Sequence, residues 1–420
     1  MRLPAITVLL SLAACQTKPS PEPPPAAPSA VSTPVAVDAP VEASAPKAAA
    51  KALPATAAEL AKGGNALGYD LFRRAPAGEL AISPASIGIA LAMAELGAKN
   101  ATAAQMKARL PGAPEDWGAL AGALQGEDLR IANRIFLEKT YRFEPPFLEK
   151  TASAFGAPAE GVDFATAPQP SRVHINDWVA GQTQQRIKDL IPTDGVTSDT
   201  RFALVNAVYF LGTWKAPFVK ALTENTDFAA TGGTRKVPTM QLSERLRSGA
   251  AEGARFVELP YADGRLTMTV IVPERLADLE KTLSNDVVAR MDLALTSQTT
   301  RVLLPRFKID PATSLSLGDA LVALGMKDAF DREKADFTAM ANPPKPADRL
   351  YVSKVFHKAF VKVDEKGTEA AAATAVIGAK GGGAPAPPFE VKADRPFLFL
   401  IRERTTGLVL FLGRVLDPKE

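Results

Sequence analysis

The sequence predicts an α+β domain with mostly antiparallel sheets, preceded by a targeting segment and a tether. Two observations point there: helical patterns dominate the first third of the folded part, and strand-like runs dominate the last. A third is the uneven spread of 35 prolines, 10 of which fall within residues 16–57. Hydrophobic residues make up 46% and charged residues 23% of 420, ordinary globular usage that excludes wholesale disorder. A net charge of +3 with mixed signs gives no electrostatic footprint for nucleic acid. One cysteine and two histidines exclude internal disulfides, zinc–cysteine clusters and histidine-rich metal centres.

The chain begins with Arg2 and an apolar run from Leu3 to Ala14, too short to span a bilayer stably. The run ends in Leu12-Ala13-Ala14-Cys15, which resembles a bacterial lipobox, with Cys15 as the site of lipid attachment. The alternative is an ordinary signal peptide with an accidental cysteine. In that resemblance, Gln16 after the cysteine fits sorting to an outer membrane or the cell surface. The organisation expected is a signal peptide at 1–14, a lipidated cysteine and tether at 15–57, and a folded domain at 58–420. Residues 16–57 hold 13 alanines and no aromatic residue, so they cannot bury enough apolar surface to offset chain entropy. In a polyproline-II conformation they would reach about 130 Å.

Helical patterns cover 57–75, 84–96, 172–190, 274–284 and 313–324. Ser83 is the N-cap of the second, with Pro84 in its first turn, and Pro192 stops the third. Strand-like runs cover 132–138, 202–211, 255–260, 265–272, 299–309, 355–364, 396–401 and 407–414. No second linker interrupts them, which predicts one large domain.

Catalytic motifs are missing: no G-x-S-x-G elbow, phosphate-binding loop, H-E-x-x-H helix or dinucleotide fingerprint occurs. His174 opens an amphipathic helix as a surface or boundary residue. His357 shares its parity with Val355, Ala359, Val361 and Val363, which places it on the apolar face of a strand as a structural, hydrogen-bonded histidine.

The segment after Asp364 reads both as loop and as strand. Its composition permits a flexible linker. Its alternation says more: Thr368, Ala370, Ala372, Thr374 and Val376 share one face, and all are small or β-branched. Glu369 opens the other face. No proline lies between Glu365 and Ala384, so every amide there is free to join a ladder. Such a segment can live exposed and later become a central strand.

The run Asp364-Glu365-Lys366-Gly367-Thr368-Glu369-Ala370-Ala371-Ala372 resembles the hinge of an inhibitory serpin. Ile82-Ser83-Pro84-Ala85-Ser86-Ile87, Ile175-Asn176-Asp177-Trp178-Val179, Leu204-Val205-Asn206-Ala207-Val208-Tyr209-Phe210, Leu304-Pro305-Arg306-Phe307 and Leu410-Phe411-Leu412-Gly413-Arg414-Val415 agree with it, in consistent order. The resemblance covers about 57–417. It implies three β-sheets, about nine helices and an exposed reactive-centre loop. It also implies suicide inhibition of serine or cysteine proteases by a monomer, with no cofactor assigned: the cleaved loop inserts into the central sheet and traps the acyl-enzyme. By the same resemblance, the hinge comprises Glu365, Gly367, Thr368, Glu369, Ala370, Ala371, Ala372 and Ala373. Ser83, Ser86, Asn206 and His357 match a buried shutter. Trp214, Arg306 and Glu365 match the breach where insertion begins. Counting from Glu365 in the family's commonest register puts the residue before the scissile bond at Gly381, and one residue shorter puts it at Lys380. Glycine offers nothing to a primary pocket whereas lysine suits a trypsin-like target, so Lys380–Gly381 is the reactive bond expected. The loop runs a few residues longer than usual, which leaves bonds after Ile377, Ala379 or Ala384 open for an elastase- or subtilisin-like one. A non-inhibitory binding protein of the same fold, or a hydrolase, are the competing classes. The small hinge residues speak against the first, the missing nucleophile–histidine motif against the second.

Overall fold

The computed structural model describes residues 52–126, 128–368 and 387–419. Their helices are α1 (Ala57–Arg74), α2 (Pro84–Glu95), α3 (Asn100–Lys107), α4 (Pro114–Leu124), α5 (Pro145–Phe155), α6 (Pro168–Gln182), α7 (Leu276–Thr282), α8 (Asn285–Leu293) and α9 (Gly318–Ala323). The first strands are β1 (Leu80–Ile82), β2 (Leu129–Glu138), β3 (Ala159–Val162), β4 (Phe202–Phe210), β5 (Gly212–Thr213) and β6 (Glu224–Ala230). Then come β7 (Gly233–Ala251), β8 (Ala254–Pro260), β9 (Leu266–Pro273), β10 (Thr296–Pro305), β11 (Phe307–Ile309) and β12 (Leu315–Ser316). The last are β13 (Phe356–His357), β14 (Val361–Asp364), β15 (Gly367–Thr368), β16 (Phe389–Lys392), β17 (Phe397–Glu403) and β18 (Val409–Val415).

The α+β expectation holds, with most strand pairs antiparallel; β10–β16 and β2–β3 are parallel. The largest sheet runs β1-β18-β17-β9-β8-β7-β10-β16, with β6 also on β7. The long strand β7 partners β6, β8 and β10, so ladders that could stand as separate sheets join through it. A second layer comes in two pieces, β3-β2-β4 and β11-β14-β15-β5. They meet where β4 passes through Leu211 into β5.

Local chemistry sets the elements that frame this layer. Helix α2 opens as expected, Ser83 Oγ accepting from the Ser86 N–H at 3.2 Å and Pro84 standing in the first turn. It is buried nearly all round, as a helix without an amphipathic stripe must be. Helix α6 corrects the expectation of 172–190. It starts at Pro168 and ends at Gln182, after which Gln184 and Gln185 take left-handed backbone angles that reverse the chain. Ile187, Leu190 and Ile191 prolonged the apolar pattern because they pack back into the same small core as Ile175 and Val179. Asn176 fixes this return, donating to the Ile191 carbonyl and accepting from its N–H at 2.9 Å each.

Two predicted strands divide. The run 299–309 breaks at Arg306, and β11 belongs to the other layer than β10. The run 355–364 becomes β13 and β14, β13 pairing with β12. The helix expected at 313–324 keeps only α9, because Leu315 and Ser316 form β12. The alternation itself is correct: His357, Ala359, Val361, Val363 and Glu365 are all buried, and the residues between them are half-exposed. Among the described residues, no helix is long and apolar enough to cross a membrane.

Candidate functional site

At the top of the divided layer the start of the predicted hinge is already a strand. Thr368 lies between Val363 of β14 and Gly212 of β5, and Gly367 between Asp364 and Thr213. The approach at Gly367 is close enough that a Cβ would overlap the Gly212 carbonyl oxygen, which is why only glycine fits there. Thr368 is buried and its hydroxyl lies 2.7 Å from the Tyr261 hydroxyl.

The predicted breach residues come together around this hairpin. The Trp214 N–H donates to the Lys366 carbonyl at 2.8 Å and its indole N–H to the Asp364 carbonyl at 3.0 Å. Its ring stacks on Tyr261, with centroids 4.6 Å apart and planes at 16°. Arg306 Nε donates to Glu365 Oε1 at 2.9 Å, and the Thr223 hydroxyl to the same oxygen at 2.6 Å. Burial alone would raise the Glu365 carboxyl, but hydrogen bonds from Arg306 and Thr223 outweigh it and hold it below its ordinary range.

The four shutter residues also meet. The Ser83 N–H donates to His357 Nε2 at 2.9 Å, and the Ser86 hydroxyl donates to Asn206 Oδ1. A ring nitrogen that accepts leaves the proton on Nδ1, so the histidine is neutral. Burial agrees, pushing its pKa down to about 4. Sequence reading missed the next link: Asn206 Nδ2 donates to Asn133 Oδ1 at 2.7 Å, and Asn133 Nδ2 to the Phe155 carbonyl at 3.0 Å. A signal was present, since Asn133 shares its parity with Ile131 and Ile135 and so had to be a buried amide seeking partners. Tyr261 and Thr223 were missed too, and no local pattern marks them.

Below the hairpin the layer is open. Among the described residues no ladder joins β4 to β13 or β14. A cavity of about 910 Å³ lies between Phe202–Asn206 on one side and Ser353–His357 on the other, with Ser86 in its wall. Cys15, Glu369, Ala370, Ala371, Ala372, Ala373, Lys380 and Gly381 lie outside the described residues.

Among the described residues the layer is thus parted between β4 and β14, with β15 laddered across one end of the parting. Comparison with known proteins agrees: the family model described as Serpin (serine protease inhibitor) matches residues 62–418, and the chain belongs to the serpin family. That family consists mostly of protease inhibitors rather than enzymes. The chain is 37% identical to the leukocyte elastase inhibitor of Homo sapiens over 365 residues, 82% of this chain and 94% of the relative. Among solved structures it is similar to a cleaved Serpin 42Da (31% identity, TM-score 0.75, covering 86% of this chain and 100% of that one). It is equally similar to a thermophilic serpin, tengpin, in the native state (29% identity, TM-score 0.76, covering 86% and 94%).

Proposed function

We propose that this chain is a suicide inhibitor of serine proteases that traps the acyl-enzyme by inserting its cleaved loop between β4 and β14. The observation that carries this is Thr368, laddered on both sides at the head of an open cleft. Extending both registers without a bulge sets Thr374 opposite Asn206 on one flank and His357 on the other, and residue 378 opposite Phe202. The inward residues would then be Thr368, Ala370, Ala372, Thr374, Val376 and Gly378, small enough to enter without repacking the core. A strand of this length spans about 36 Å. Insertion must outrun hydrolysis of the acyl bond, and small side chains favour that race.

The same register supports a bond beyond residue 378, and Lys380–Gly381 meets that condition. Lysine suits the acidic primary pocket of a trypsin-like enzyme. Lys380 is the one charged side chain between Glu369 and Glu390. A second reading, an elastase-like target cleaving after Ala379 or Ala384, is favoured by the names of the leukocyte elastase inhibitors above. Mass spectrometry of the small C-terminal fragment released on complex formation separates them. The expected fragment begins at Gly381, and Lys380→Ala abolishes inhibition of trypsin. Unchanged trypsin inhibition by that variant, or a fragment beginning elsewhere, overturns the assignment.

The inhibitor is further proposed to work at a bacterial cell envelope, held through lipidated Cys15 and the tether at 15–57. A lipid signal of several acyl chains gives stable anchoring where a single chain is marginal. Cys15→Ser is expected to move the protein from the membrane to the soluble fraction while inhibition by the 58–420 domain stays the same. A wild-type protein that takes up no palmitate and fractionates as soluble disproves the anchor.

A further inference from the structure

We infer that the Tyr261 hydroxyl is a latch that seats Thr368 in the sheet before cleavage, so that insertion extends a ladder already begun. The inference rests on the inhibitory reading above and adds to it a positioning residue outside the hinge, breach and shutter residues named from the sequence.

Tyr261 is fully buried, its ring stacked on Trp214 and set edge-on to Phe210 at 4.8 Å. This aromatic floor lies under the spot where β15 meets β5. Gly212 makes room for it, since a Cβ there would come within 2.7 Å of the Tyr261 ring. Ring and strand therefore meet at one place, and the phenol oxygen is 2.7 Å from Thr368 Oγ1. Neither hydroxyl reaches water, so each needs the other. Burial raises the phenol well above its ordinary pKa, so it stays protonated and able to donate at any working pH.

The consequence is kinetic. A strand entering a sheet faces its largest obstacle at the first rung, where chain entropy is lost before neighbouring contacts form. Seating Thr368 in advance removes that step. Withdrawing one hydroxyl leaves the other buried and unsatisfied, which favours expulsion of the hinge. Withdrawing both together removes the same bond and adds no further unsatisfied group.

The test is a mutant cycle on the full-length protein with Tyr261→Phe, Thr368→Val and the double variant. Hydrogen exchange of the peptide spanning Val361–Thr368 reads hinge seating without any protease. Each single variant is expected to lose about tenfold in protection, the size of effect of one unsatisfied buried hydroxyl. The double variant is expected to stay below wild type but to lose no more than either single variant, a coupling that separate structural roles, whose losses add, would not produce. The stoichiometry of inhibition should follow the same order, raised in both single variants and no higher in the double. Unchanged exchange in Tyr261→Phe, losses that add in the double variant, or a double variant seated as fully as wild type, overturns the latch. If the exchange cycle holds but wild type forms no SDS-stable complex with any protease, the latch stands and the inhibitory reading falls.

Discussion

Replacing Thr368 with arginine is expected to turn the inhibitor into a substrate. Thr368 is buried between Val363 and Gly212, with its hydroxyl against that of Tyr261, so its described partners are two backbones and a phenol. An arginine there must either carry an unpaired charge into the sheet or hold the hinge out of it. An unpaired buried charge costs several kcal/mol. At about 1.4 kcal/mol per tenfold in rate, insertion slows by roughly a hundredfold or more, and hydrolysis of the acyl-enzyme wins. Gel electrophoresis should show the loop cut at the normal position, active protease recovered, and no SDS-resistant complex. The same substitution at Glu369, of opposite parity in the sequence, should leave most of the complex intact. Equal loss from both substitutions would show that the parity is misassigned.

Acid should weaken the native state through His357 by about 3 kcal/mol between pH 6.5 and 4. The sign follows from proton uptake. In the fold the imidazole accepts the Ser83 N–H and stays neutral down to about 4, whereas in the unfolded chain it protonates near 6.5. Between those values the unfolded state holds the extra proton, so its contribution to stability is complete above 6.5 and is lost as pH falls. Glu95 contributes with the opposite sign: burial holds its carboxyl up to about 7, so it favours the fold as pH falls through that window. The measurement is therefore a difference between wild type and His357→Gln in thermal midpoint, taken at pH 7.5 and pH 4. The advantage of wild type should shrink by about 5 °C across that range. A constant gap would mean that His357 is not held neutral.

Much of the site could be read in the sequence because the signals involved are local. Parity along 355–364 located the buried face of the strand before the hinge, and the structure buries His357, Ala359, Val361 and Val363 while leaving Val355 half-exposed. Ser83 before Pro84 announced the start of α2, and the same serine anchors the shutter. The errors have local causes as well. Periodicity cannot distinguish a helix that continues from a chain that folds back onto the same core, which is why Ile187 to Ile191 prolonged α6 on paper. Nor can it show that a continuous apolar run serves two sheets, as on either side of Arg306.

What the sequence determined by itself is the set of side chains that can face inward: a hinge of threonine and alanine, and a buried histidine on an apolar face. These follow from alternation and side-chain volume, which need no partner to be read. What the tertiary structure alone decided is which distant groups complete them. Tyr261 is 107 residues from Thr368. Asn133 is 73 from Asn206. Thr223 is 142 from Glu365. Each supplies a hydrogen-bonding partner to a polar group that folding removes from water. The need for a partner is written at one position, but its identity depends on which strands the topology lays side by side.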